Sequence, residues 1–324
     1  MKEILRKILF GTAAIREYST VTIESGIREK VYLQQDGRST FPLDVSSCHF
    51  LLCLDPIVFG IWLEKEKARV LDPQRAYSLY FRDTVFVPGR DISRDALAVI
   101  GLDLFDTIEE EGGMGKEGGT LFLFRLKTVA ISHINVVKAR LIFSKYYKKP
   151  GLTFDRVKAF AAAYSYPRRV RIISFREEGY YNIFPMDLLG DIPLAGRCVF
   201  GLRHTNRTLS RIIETKKIVV SEVPALYKET IYQLGSHHGS APPPPAQLPF
   251  TVIPSGLFGF WVPEWVESYQ EINILRTMNL GSHMLLWGEP AAKTTLRPPA
   301  NHLYHIHFLL YLHQLKKGAA YPLV

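Results

Sequence analysis

Arg203-His204-Thr205-Asn206-Arg207-Thr208 puts two guanidinium groups, an imidazole, two hydroxyls and an amide into six consecutive residues. The segment falls between a strand predicted over 196–203 and a helix predicted near 207–215. Free backbone N–H groups and the positive end of the helix dipole converge at such a junction, which suits a phosphate. Cations and hydroxyls there would supply charge-assisted hydrogen bonds. The plain alternative is that Thr205 or Asn206 caps the helix while the arginines stay solvated.

The histidines form a second chemical set. His283 lies between Ser282 and Met284 at a predicted strand start, either as a site residue or as a half-buried structural one. His302, His305, His307 and His313 crowd the C-terminal stretch, and a strand there would turn His305 and His307 to one face. No Cys or carboxylate nearby completes a ligand set, so no metal is expected. Gly113, Gly115 and Gly118 match G-x-G-x-x-G, but they follow the acidic run Glu109-Glu110-Glu111 and lead into a strand. A dinucleotide fingerprint needs the opposite context, strand before and helix after. No Walker A, G-x-S-x-G or zinc-finger spacing occurs, so hydrolase and nucleotide-triphosphatase chemistries have no support.

The elements that must position these groups repeat. GRSTFPLDVSSCHFLLCLDPIVFGIWL at 37–63 and GYYNIFPMDLLGDIPLAGRCVFGLRH at 179–204 share a glycine turn, FP[LM]D, a proline and VFG in one order. The two copies sit 143 residues apart at FP[LM]D and 141 apart at VFG. A fixed order at a near-constant offset implies two related units of small-domain size. The first copy has Glu64-Lys65-Glu66-Lys67 where the second has His204-Thr205-Asn206-Arg207, so its phosphate seat reads as degraded and the unit as a packing partner.

Strands are expected over 21–63, 120–126, 168–175, 180–186, 196–203 and 217–222. A helix is expected over 92–111, from the spacing of Leu97, Ile100, Leu104 and Ile108, and another after Thr153 as N-cap, stopped by Pro167. Residues 144–151 read as a linker, and 235–249, with four consecutive prolines, as a mobile loop. Ile4, Leu5, Ile8 and Leu9, with Lys2, Arg6 and Lys7 opposite, predict a packed amphipathic helix; Glu3, Glu17 and the lack of a continuous apolar run argue against a targeting segment.

The 324 residues suit two domains, expected at 1–150 and 151–324. A composition of 47% hydrophobic and 22% charged residues is that of a globular protein. The net charge of +9 is scattered without a long basic tract, so no nucleic-acid partner is expected. Cys48, Cys53 and Cys198 have no metal spacing and one would be left over from any pair, which fits a reduced, cytoplasmic protein. Apolar runs such as HFLLCL and VFGIWL are broken by Asp55 and Pro56, well short of the roughly 18 apolar residues of a membrane span.

From Tyr166 the chain reads YPRRVRIISFREEGYYNIFPMDLLGDIPLAGRCVFGLRHTNRTLSRIIETKKIVVSEVP. Pro167, Gly179, Asn182, Pro193, Thr208 and the strand Ile218-Val219-Val220-Ser221 follow the order of the flavin reductase-like, FMN-binding split-barrel family. Gly281-Ser282-His283 through Gly288-Glu289 resembles that family's GDH-x4-GE segment. The resemblance covers about residues 160–290. It implies a mainly β fold of tandem split β-barrels with peripheral helices, the first degenerate, and FMN as cofactor with NAD(P)H as co-substrate. It further implies that Asn182, Phe184, Pro185, Met186 and Asp187 line the flavin, that Thr208 beside Arg207 contacts phosphate, and that His283 positions the nicotinamide. Asp187 stands where the family usually has Ser, and Gly190 near a second hydroxylated position. The implied activity is NAD(P)H-dependent flavin reduction, at an interface made either by a homodimer or by an intrachain pseudo-dimer. The rival functions are a non-catalytic flavin- or haem-binding protein, and a structural or interaction protein on the same barrel.

Overall fold

A computed structural model describes residues 18–37, 41–112, 118–147, 151–235 and 241–324. The expected N-terminal amphipathic helix lies outside these residues. So do Gly113 and Gly115, the end of the expected linker and residues 236–240 of the proline-rich loop.

The chain is mainly β, built on two seven-stranded antiparallel sheets. The first comprises β2 (Lys30–Gln35), β3 (Leu43–Asp44), β4 (His49–Leu54), β5 (Ile57–Glu64), β6 (Tyr77–Arg82), β7 (Ala96–Glu110) and β8 (Gly119–Ile131). After β9 (Arg168–Arg169), the second comprises β10 (Arg171–Glu177), β11 (Tyr180–Met186), β12 (Leu189–Ile192), β13 (Arg197–Arg203), β14 (Lys217–Glu222), β17 (Ser268–Asn279) and β18 (His283–Thr295). The hairpin of β15 (Val252–Pro254) and β16 (Trp261–Pro263) interrupts it. The strand orders are β3-β2-β6-β7-β8-β5-β4 and β11-β10-β14-β17-β18-β13-β12, which is one order twice. FP[LM]D falls at the edge strands β3 and β11, and VFG falls in β5 and β13.

Residues 96–110 form a strand instead of the expected helix. Ala98, Ile100 and Leu102 are buried in alternation, as a strand requires. Register shifts follow, one leaving Lys127 of β8 unpaired and one leaving Phe105 of β7 unpaired. Leu97 and Ile100 lie at opposite parities ahead of both shifts and both are buried, so a strand covered on both faces shows the three- and four-residue spacing of a helix.

The helices are peripheral: α1 (Lys65–Ala68), α2 (Val136–Ile142), α3 (Phe154–Ala163), α4 (Leu209–Thr215), α5 (Lys228–Gly235) and α6 (Phe308–Lys316). Thr153 caps α3, its Oγ1 accepting from Arg156 N at 3.2 Å. The core beneath the first sheet includes Ala162 and Ala163 of α3 and Leu310 and Tyr311 of α6. A third sheet, β1-β19-β9, joins β1 (Tyr18–Thr22) to β19 (Leu303–His307) and β9.

The two large sheets meet along an apolar seam in which Phe50, Leu52, Val58 and Trp62 pack against Ile192, Val199, Leu285 and Trp287. The backbones approach so closely there that glycine is required. A Cβ on Gly201 would lie 1.8 Å from the Leu52 carbonyl oxygen, and one on Gly190 would lie 1.9 Å from the Phe50 ring. Arg197 bridges the seam, bonded to Glu289 at 2.7 Å and to Glu110.

Candidate functional site

A crevice of about 330 Å³ opens beside this seam. Phe184, Pro185 and Met186 at the end of β11, with Asp187 and Leu188 just beyond it, line it. Arg203 ends β13 directly opposite His283, which begins β18, and both line the crevice. The other half of the chain contributes Leu54 from β4 and Tyr18 from β1; Tyr164 at the end of α3 and His305 of β19 complete the wall.

Asp187 is the polar centre. Its Oδ2 accepts from Tyr164 Oη at 3.1 Å and bonds His305 Nδ1 at 2.8 Å. Burial opposes the carboxylate charge, but the His305 and Tyr164 hydrogen bonds and the nearby Arg168 outweigh it and hold the carboxyl below its ordinary range. Burial and the Asp187 charge keep the Tyr164 phenol well above its own range, so it remains a donor. The chain of bonds continues from His305 Nε2 to Tyr232 Oη at 2.6 Å and on to Thr20 Oγ1 at 2.5 Å. Tyr18 stacks on His305 with ring centroids 5.6 Å apart.

His283 is buried yet lines the crevice. Its Nδ1 lies 2.8 Å from Ser282 Oγ and 3.6 Å from Cys53 Sγ, a residue from the opposite sheet. The imidazole is therefore fixed across the seam. Arg203 is exposed at the mouth, and its guanidinium has no partner among the described residues.

The remaining residues nominated from sequence lie outside the crevice lining. Thr208 is fully buried; its Oγ1 accepts from Asn182 Nδ2 at 2.8 Å and lies 3.0 Å from Tyr180 Oη. This corrects the expected phosphate contact: the hydroxyl ties β11 to the start of α4 and faces the interior. Asn206 Oδ1 accepts from Thr208 N at 2.9 Å, a turn bond just ahead of α4, whose N-cap is Thr208 and carries no side-chain cap bond. His204, Thr205 and Arg207 are exposed, with His204 Nε2 3.2 Å from Asn279 Oδ1. His307 caps α6, accepting from Leu309 N at 3.1 Å, instead of sharing a site with His305. Sequence reasoning missed Tyr18, Leu54 and Tyr164 because nothing in their local spacing marks them; only tertiary convergence does. His305 was visible as a histidine, but in a metal context.

No family model matches the chain, and no curated protein matches it. Solved structures resemble part of it. An FMN-binding protein from Thermus thermophilus, with bound 1-cyclohex-2-enone, is 20% identical over 44% of this chain and 84% of its own, with a TM-score of 0.38. The NADH:FAD oxidoreductase SgcE6 of Streptomyces globisporus C-1027 is 16% identical over 49% and 91%, with a TM-score of 0.41. The flavin reductase PheA2 is 15% identical over 45% and 90%, with a TM-score of 0.38. These are likenesses of less than half the chain, and the chemistry rests on the residues themselves. No helix among the described residues is long and apolar enough to cross a membrane.

Proposed function

We propose that the crevice binds FMN and that the protein is an NAD(P)H-dependent flavin oxidoreductase, with flavin reduction as its reaction. The observation that carries this reading is convergence. Phe184, Pro185, Met186, Asp187, Arg203 and His283, nominated from three separate stretches of sequence, line one cavity. A volume of about 330 Å³ falls at the lower end of the range for small-molecule sites, roughly 300–1,000 Å³.

The residues present fit the group. Phe184, Met186, Leu188, Leu202 and Leu54 offer apolar walls to a flat ring. Arg203 offers the phosphate a guanidinium at the mouth that is without a partner among the described residues. Asp187 would repel a phosphate; its carboxylate, already hydrogen-bonded to Tyr164 and His305, suits the hydroxyls and N–H edge of the ligand. When bound, FMN supplies the two-electron chemistry. His283, held by Ser282, forms the wall against which the nicotinamide is positioned.

Residues 1–150 and 151–324 are in this reading two related units forming a pseudo-dimer within one chain, supported by their shared strand order. Three free cysteines fit a cytoplasmic setting. The test is the absorption spectrum of the purified protein and the fluorescence polarisation of added FMN, followed by FMN-dependent oxidation of NAD(P)H. A flavin doublet or saturable polarisation is expected. A colourless protein that leaves FMN freely tumbling ends the proposal, and a Soret band redirects it to haem.

A further inference from the structure

The second sheet carries a further cleft, at the opposite end of β11 from the crevice. Arg176 of β10 and Tyr181 of β11 are direct cross-strand partners and so share one face of the sheet. Trp261 of β16 lies against both. Its ring is tilted on that of Tyr181 with centroids 5.1 Å apart, and the Arg176 guanidinium sits 4.2 Å from its centroid, tied by a 3.2 Å bond to the Gly259 carbonyl. These side chains line a cleft of about 580 Å³ together with Pro242, Pro243, Pro244 and Pro245.

Four consecutive prolines have fixed φ and no backbone N–H, so the segment is set toward polyproline II before it meets anything. Pro244, at φ −54° and ψ 146°, is close to that conformation. The carbonyls of such a helix make no internal bonds, and Tyr181 Oη donates to that of Pro243. Burial pushes the Tyr181 phenol above its ordinary range, which keeps it a donor. Aromatic-lined grooves take proline-rich segments in this way, because a preformed helix loses little entropy on docking. The chain's own segment is held lightly. Among the described residues, the Tyr181 bond is the only hydrogen bond from 241–245 to anything outside the loop; Gln247 N to the Pro244 carbonyl and Leu248 N to that of Pro245 are internal to it. Ala241, Pro244 and Pro245 are exposed.

We infer that this cleft is a receptor for proline-rich segments in polyproline II, engaged here by residues 242–245, and that a proline-rich stretch of another polypeptide takes the same seat when they leave it. The occupant seen in the structure defines the chemistry of the partner: pyrrolidine rings facing Tyr181 and Trp261, and a carbonyl at the Tyr181 hydroxyl. The site is separate from the flavin crevice.

Fluorescence polarisation of a labelled peptide with the sequence of residues 241–248, titrated with the full chain, tests it. Saturable binding is expected, and a peptide with alanine at the four prolines fails to compete. The tethered segment competes for the seat, so a chain carrying Pro242→Ser, Pro243→Ser, Pro244→Ser and Pro245→Ser together binds the peptide at least several-fold more tightly than wild type. Adding Tyr181→Phe to that chain, which keeps the ring and deletes the donor, weakens binding roughly two- to tenfold, the worth of one hydrogen bond. Should the serine variant not fold, wild type at millimolar peptide decides, by binding the proline peptide and not its alanine counterpart. Binding that ignores the prolines of the peptide, that ignores Tyr181→Phe, or that is absent from wild type and serine variant alike overturns the inference. Concentration-dependent self-association abolished by the serine substitutions would give the seat to a second copy of this chain and overturn it as well.

Discussion

Each large sheet has a crevice at its FP[LM]D segment, one lined by Phe184, Asp187 and Arg203 and the other by Leu43, Asp44 and Trp62, and they differ both in these strand residues and in what reaches them from outside the sheets. Asp187 is half-buried and held by Tyr164 of the α3 terminus and His305 of β19. Asp44, its counterpart, is exposed and bonded only to Ser46, two residues away. Arg203 gives one mouth a cation, whereas at the equivalent position Trp62 is buried in the seam, its ring tilted against that of Trp287 with centroids 6.0 Å apart. One strand order occurring twice therefore supplies two similar frames, and peripheral elements help decide which becomes a polar site.

Replacing the two aspartates tests this contrast most strongly. Asp187→Ala should cost about 1–3 kcal/mol in urea unfolding, because Tyr164 and His305 lose a buried acceptor. Asp44→Ala should stay within about 0.5 kcal/mol. Equal costs would erase the distinction. Next, Arg203→Ala should weaken FMN by about 1.5–3 kcal/mol, read by polarisation, while Arg207→Ala, outside the crevice lining, leaves affinity unchanged. The reverse ranking would return the phosphate to the α4 junction.

His283→Ala sharpens the first crevice alone. It should raise the KM for NAD(P)H several-fold while bound FMN and dithionite reduction are retained. Loss of flavin without a selective effect on the pyridine nucleotide would make His283 a structural residue. The smallest effect is in pH. The Asp187 pKa is depressed on folding, so its contribution is fully present above the ordinary value of 3.8 and is lost as pH falls through the folded value. Comparing urea midpoints of wild type and Asp187→Asn, the gap at pH 5 should narrow toward pH 3. A gap that widens on acidification would reverse the assigned direction.

Much of this was legible in sequence wherever local rules dominate. The strands 180–186 and 217–222 have the bounds that alternation and turn signals predict, and Thr153 announces α3. Burial on both faces misleads the pattern in β7, since Leu97 and Ile100, at opposite parities, are both buried and mimic helical spacing. The polar residues at 204–208 looked like a ligand site because hydroxyls and amides also serve as internal ties, and sequence does not say which way Thr208 faces. Tyr18, Tyr164 and His305 reach Asp187 from distant parts of the chain, and no spacing encodes such a meeting.

The sheet β1-β19-β9 has a consequence for the order of assembly. Ile306, Leu310, Tyr311 and Tyr321 are part of the core beneath the first sheet, although that sheet is complete in sequence by Ile131. During synthesis, strands made first must wait with one face unfinished until residues 303–321 leave the ribosome. The second sheet draws its core from 170–303 and closes sooner. The half that is translated earlier is thus the half that matures last, and it is the one that needs shielding from aggregation in the interval.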